Sequence, residues 1–112
     1  MKTYLGIRRE CDPVVLVEKS RGQRSDLPVR LDLRNHSPTG FEWGYGGSGP
    51  AQLALAILAD HFGPTGEKRA LTIYQDFKAR VIATLPYAGF RLSERDVDQA
   101  VRAIDKLRAG RV

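Results

Sequence analysis

Residues 35–62, NHSPTGFEWGYGGSGPAQLALAILADHF, run a glycine-rich loop bearing Trp43 and Tyr45 straight into a strongly apolar helix, and the rest of the chain reads as support for that junction. Gly44, Gly46, Gly47 and Gly49 follow one another closely. Glycine alone enters positive φ without steric penalty, so this density predicts backbone that turns sharply or is closely approached. Pro50 suits the first helical position, where no N–H is needed, and Gly49 the N-cap before it. From Leu53 to Ala59 the run LALAILA has no polar break, which predicts a central helix buried on nearly every face. Gly63 and Pro64 then end it.

The loop predicts a binding site. If the helix starts at Pro50, the N–H groups of Ala51 and Gln52, with those of Gly46, Gly47, Ser48 and Gly49, form a nest of donors at the positive end of a helix dipole, a setting for phosphate or carboxylate. Trp43 or Tyr45 offers a stacking surface. Glu42 beside an anion site repels a bare anion unless it takes a ribose hydroxyl or a base amine, so a nucleotide fits better than inorganic phosphate. Arg34, at the entry to the loop, is placed to reach an anion. The competing expectation is that the glycines only let the chain cross a sheet while Phe41, Trp43 and Tyr45 pack inward.

Catalytic signatures are incomplete. Gly44 to Gly49 spells GxGxxG, but a second long helix follows where a dinucleotide-binding unit needs a strand ending in an acidic residue. Ser48-Gly49-Pro50 stands where a phosphate-binding Walker loop needs Gly-Lys-Ser/Thr. Ser48 among glycines lacks the last glycine of a nucleophile elbow, and His61 follows Asp60 directly instead of standing on a separate loop. No catalytic residue is expected.

The segment HSPTGFEWGYGGSGPAQLALAIL, His36 to Leu58, resembles the signature of a small uncharacterised family, a domain of unknown function found in bacteria and in phages or other mobile elements. The order of elements on both sides is similar too, so the resemblance spans most of the chain. It implies no catalytic residues, and a cytosolic, phage-linked setting.

Outward from the junction, Thr3 to Arg8 and Val14 to Glu18 read as strands, the latter buried by its β-branched content. Ser20 to Asp26 reads as a polar turn. Leu27, Val29, Leu31 and Leu33 alternate with Arg30, Asp32 and Arg34, which predicts a half-buried third strand. Glu67 to Leu85 is an amphipathic helix with Ala70, Ile73, Tyr74, Phe77, Val81 and Leu85 inward, and Tyr87 to Leu92 a loop or short extended piece. Ser93 with Asp96 forms a capping box for a last helix that ends near Ala109 and buries Val97, Ala100, Val101, Ile104 and Leu107. Arg95, Arg102 and Lys106 fall roughly on one side of that helix, as a docking face for an acidic partner or as ordinary surface charge. The expected fold over residues 1–112 is a single α+β domain: a three-stranded antiparallel meander followed by three helices, βββααα.

Composition narrows the function. The 112 residues, 42% hydrophobic, suffice for one core and little more. One cysteine, Cys11, allows no internal disulfide, and with two histidines there is no Cys/His set for zinc, so no metal or cofactor is expected. The chain shows no signal-peptide h-region and no membrane-spanning run, which points to the cytoplasm. A net charge of +5 admits an acidic partner, but the basic residues are dispersed and no nucleic-acid-binding motif occurs. The expected function is a non-enzymatic protein that holds an anionic small molecule, a nucleotide, through Arg34, Glu42, Trp43, Tyr45, Gly46, Gly47, Ser48, Gly49 and Gln52. The alternative is a protein-interaction module, a phage-linked inhibitor of a host defence protein, anchored by the loop aromatics.

Overall fold

A computed structural model describes residues 1–110. Strands β1 (Thr3–Arg9) and β2 (Asp12–Ser20) form a hairpin in which Arg9 pairs with Asp12. The two residues between them, Glu10 and Cys11, both take positive φ, 51° and 73°, as the twist-matched type I′ turn requires. A turn at Gly22, φ 77°, leads into β3 (Gln23–Asp26), antiparallel to β2. Then come helix α1 (Ser48–Phe62), a 3-10 turn (Pro64–Gly66), helix α2 (Glu67–Arg80), a second 3-10 turn (Ile82–Thr84), strand β4 (Phe90–Ser93) and helix α3 (Glu94–Ala109). Strand β4 pairs antiparallel with β1, giving the sheet order β3-β2-β1-β4.

The sheet therefore has four strands, not three, and its third is not the expected one. Gln23–Asp26, read as a turn, is a wholly exposed edge strand, so it carries no apolar alternation to betray it. Leu27 to Arg34 is irregular despite its alternation. Leu27 is buried and still donates its N–H to the Val15 carbonyl at 3.1 Å, but Pro28 then removes a ladder donor. Arg30 turns into positive φ, 60°, and Leu33 donates back to the Arg30 carbonyl at 3.1 Å. The Arg30 guanidinium holds this turn by a two-point bond to Asp32, both contacts 3.0 Å, and by a bond to Glu67 on α2. Strand β4 lies in the stretch expected to be loop or extended.

One sheet face, with Tyr4, Val15, Val17 and Leu92, joins a common core with α1, α2 and α3. Leu5 and Leu16 pair on the opposite face, next to Ile7 and Val14. Helix α1 is central as expected: every residue from Gly49 to Ala59 is buried. Its alanines, with Ala70 of α2, let the two helices approach closely. Gly63, φ 80°, closes α1 by donating to the Ala59 carbonyl at 3.0 Å.

Two boundaries shift. Helix α1 starts at Ser48, and the Ala51 N–H is consumed by the Gly47 carbonyl at 3.0 Å, so Pro50 sits third in the helix, still among the positions that need no donor. Helix α2 stops at Arg80, because Pro86 forces Leu85 into extended backbone and the chain must unwind ahead of it. In consequence Ile82 is fully buried, whereas Val81 and Leu85 are only half-buried. The capping box of α3 is complete, with Asp96 N–H on Ser93 Oγ at 3.0 Å and Ser93 N–H on Asp96 Oδ2 at 2.9 Å. Its inward face is narrower than expected: Val97, Val101 and Ile104 are buried, Ala100 is half-buried and Leu107 is 48% exposed.

Candidate functional site

Gln52 stands fully buried one turn into α1 and meets four partners. Its Oε1 accepts from His36 N at 2.8 Å and Ser37 N at 3.2 Å, and its Nε2 donates to Val29 O at 2.7 Å and Arg34 O at 3.1 Å. All four lone-pair and N–H positions of the amide are thus used, and the segment without regular structure between β3 and the loop is pinned to the central helix. The polar residue on an apolar helix is a clasp, turned away from any ligand. Arg34 contributes its carbonyl to this clasp while its side chain is exposed.

The next layer centres on Arg8, which the sequence did not mark. The twist of β1 brings its guanidinium between two rings, 4.3 Å from the Trp43 centroid and 3.7 Å from that of Tyr87. Such stacking suits a planar, weakly hydrated cation. Nη1 and Nη2 reach the two Glu42 carboxylate oxygens at 3.3 and 2.9 Å, and Nε donates to the Tyr87 carbonyl at 2.7 Å. The hydrogen bonds that Arg8 donates to Glu42 raise the Arg8 pKa further above an already high value, so Arg8 stays charged. Glu42 is therefore the counter-ion of Arg8, a role that competes with anchoring a ribose.

Trp43 is 0% exposed. Its indole N–H is shared by the Pro86 and Tyr87 carbonyls, 3.1 Å each, and Phe90 meets the ring edge-on at 5.0 Å. The ring cannot serve as a stacking platform while the fold is intact. Gly44 joins the same two segments: its N–H donates to the Ile82 carbonyl at 3.0 Å, and with φ 90° and Leu85 O 3.2 Å from where a Cβ would stand, the position accepts only glycine. The other loop glycines serve differently. Gly49 has Glu42 Cβ only 2.8 Å from a would-be Cβ, so its lack of a side chain admits the Glu42 backbone. Gly47 is extended, φ 169°, and lies under the Tyr45 ring, whose Cε2 would be 3.1 Å from a Cβ there.

Of the nine residues expected to bind, Gln52 and Trp43 are sealed inside, Gly49 is buried, and Glu42 is half-buried and paired to Arg8. Tyr45, Gly46, Ser48 and the Arg34 side chain are exposed and Gly47 is half-exposed. The surface gains a second contributor that sequence reasoning passed over: Pro86, Tyr87 and Ala88, all exposed. Tyr45 and Tyr87 are 48% and 60% exposed. Together with Gly46 and Ser48 they flank the Arg8–Glu42 ion pair, whose guanidinium stacks on the Tyr87 ring at 3.7 Å and whose carboxylate side chain is 27% exposed. A Pro-Tyr pair after an amphipathic helix was the available signal, but it reads equally as a helix stop.

Neither histidine serves this surface. His36 Nε2 is 2.6 Å from the Tyr74 hydroxyl and His61 Nε2 is 2.7 Å from Asp98, with His61 Nδ1 buried and unpartnered among the described residues. At the far end of β1, Tyr4 donates to Asp60 at 2.8 Å, and Lys2 reaches the same carboxylate at 3.2 Å. Burial first, and then the bond to Asp60, push the Tyr4 phenol well above its ordinary pKa.

The fold and its loop define a small α+β protein whose antiparallel sheet is packed on a buried helix, with two exposed tyrosines near that helix's start. The chain belongs to a family of unknown function (DUF6166), whose profile matches residues 4–103. No curated protein and no solved structure matches it. Among the described residues no helix is long and apolar enough to cross a membrane.

Proposed function

We propose that the protein is a non-enzymatic binding module that docks a protein partner through Tyr45, Gly46, Ser48, Pro86, Tyr87 and Ala88. The observation that carries this reading is the pair of exposed tyrosines beside a mutually neutralised Arg8–Glu42 pair, on backbone held by Arg8, Trp43 and Gly44. Protein interfaces are depleted of charge at their centres and enriched in tyrosine, tryptophan and arginine. A pre-ordered surface also loses less conformational freedom on association. The mobile-element setting implied by the sequence resemblance makes a host protein, such as a defence factor, the natural partner. Cytoplasmic residence belongs to the same proposal.

The small-molecule reading retains one supporting observation. Gly47, Ser48 and Gly49 open α1, so their N–H groups lie ahead of the first intrahelical bond, at the positive end of the helix. An anionic group, on a nucleotide or on the partner itself, can be held there. The non-enzymatic reading is favoured by the engagement of both histidines elsewhere, which leaves Ser48 without a base.

One experiment separates these readings. With a photo-crosslinking residue at position 87, cells that make the protein should yield a single discrete adduct, lost on Tyr45→Ser, while the same residue at position 19 yields none. Calorimetric titration of a nucleotide panel is run in parallel on wild type and Ser48→Pro, which deletes one helix-start donor at a position that tolerates proline. A nucleotide heat that Ser48→Pro removes, with no adduct from position 87, would overturn the protein-docking reading.

A further inference from the structure

The crossing of α2 and α3 leaves a groove at their C-terminal turns, with two connected hollows of about 220 and about 550 Å³ that share Arg80 and Leu107. Its floor is apolar: Ala79 from α2 and Ala103, Ile104 and Leu107 from α3. Ile104 is 1% exposed and finishes the core, but Leu107 stands 48% exposed above it. The rim is basic. Arg108 is spent on Asp76 at 2.9 Å, and Arg69, further up the same crossing, on Asp105 at 2.6 Å. Arg80 and Lys106 have no acidic partner among the described residues.

Cations in the last turn of a helix complement its dipole, and that alone would place Arg80 and Lys106 where they are. It does not account for a large aliphatic side chain exposed between them. Arg95 and Arg102, expected to share a face with Lys106, border a separate hollow with Met1, Glu94 and Asp98, which holds two carboxylates beside its cations. In the α2–α3 groove two cations with no acidic partner among the described residues flank the exposed leucine, and the one carboxylate that lines it, Asp76, is taken by Arg108.

We propose that this groove is a second docking surface, and that its occupant is an acidic amphipathic helix of a partner protein. An apolar side chain of that helix would seat against Leu107 and Ala103, with flanking carboxylates facing Arg80 and Lys106. A helix laid in a groove is read through such spaced apolar anchors. A second copy of this chain is disfavoured, because symmetric pairing would bring two basic rims together. A nucleic acid would satisfy the cations and leave the leucine without a partner.

The test uses a fluorescein-labelled helical peptide with leucine at every third and fourth position and glutamate elsewhere, followed by anisotropy at physiological salt. Wild-type protein should bind it saturably, and Leu107→Asn should weaken binding by about tenfold or more, as truncation of an anchor does. The double variant Arg80→Glu, Lys106→Glu should do the same, and Tyr87→Ser should leave binding unchanged, since it lies on the other surface. All these positions are exposed, so cooperative melting of each variant verifies the fold. Absence of saturable binding overturns the proposal. So does equal binding of a peptide with lysine for glutamate, unchanged binding by Leu107→Asn, or a dimer in sedimentation that Leu107→Asn dissolves.

Discussion

Gln52 shows how a single side chain can hold together a part of the fold that has no secondary structure. Replacing it by leucine keeps the volume but strands the N–H groups of His36 and Ser37 and the carbonyls of Val29 and Arg34 against an apolar side chain in a partly buried setting. Each stranded group costs about 1–3 kcal/mol, so urea denaturation of Gln52→Leu should show a loss of at least about 3 kcal/mol. From sequence, one glutamine in an apolar helix beside a glycine-rich loop reads equally as ligand contact or as clasp, because the decision rests on carbonyls up to 23 residues away. Arg8 was illegible for the same reason: its partners Glu42 and Tyr87 lie 34 and 79 residues further on. Tyr4 sets an alkaline limit. Its folded pKa lies above the unfolded value of about 10, so below that pH the phenol is protonated in both states and its contribution is constant. Above it the unfolded chain loses the proton first, and stability falls by up to about 1.4 kcal/mol per pH unit. Tyr4→Phe should therefore start less stable at neutral pH, having lost the bond to Asp60, yet lose less stability between about pH 9 and about pH 11 than wild type does. Denaturant midpoints at those two pH values test it.

At the scale of elements, β4 is the piece on which the aromatic surface depends. It is short, and it is accommodated because Gly6 on β1 has no side chain: a Cβ there would meet the Phe90 ring at 2.1 Å. The ring covers the bare glycine of the neighbouring strand and meets Trp43 with its edge. Gly6→Val should expel Phe90, lower stability by roughly 1–3 kcal/mol, and change the near-ultraviolet circular dichroism of Trp43. An unaltered Trp43 signal would separate β4 from the aromatic cluster. The helices were readable because their periodicity is local and long, as was the capping box, which is defined by two residues three apart. The edge strands were not. Strand β3 is exposed on both faces and β4 is too brief for a period to register, whereas Leu27 to Arg34 has the right alternation with a proline and a left-handed arginine inside it.

For the whole molecule, Trp43 is the only tryptophan and touches groups from β1, the Pro86–Tyr87 segment and β4. If residues 1–112 form one domain, its fluorescence and far-ultraviolet circular dichroism should report a single coincident unfolding curve in urea. Two separate curves would mean that sheet and helices unfold independently. The β1–β2 hairpin leaves the ribosome before the helices, but the far edge of β1 is completed by Phe90–Ser93, after α1 and α2 have been made. Until then the backbone of Thr3 to Gly6 lies open beside Tyr4 and Leu5, an unprotected edge of the kind that recruits foreign strands. A nascent chain stalled before Phe90 should therefore aggregate more readily than the finished fold, and a chaperone that shields strand edges would be of use to it there.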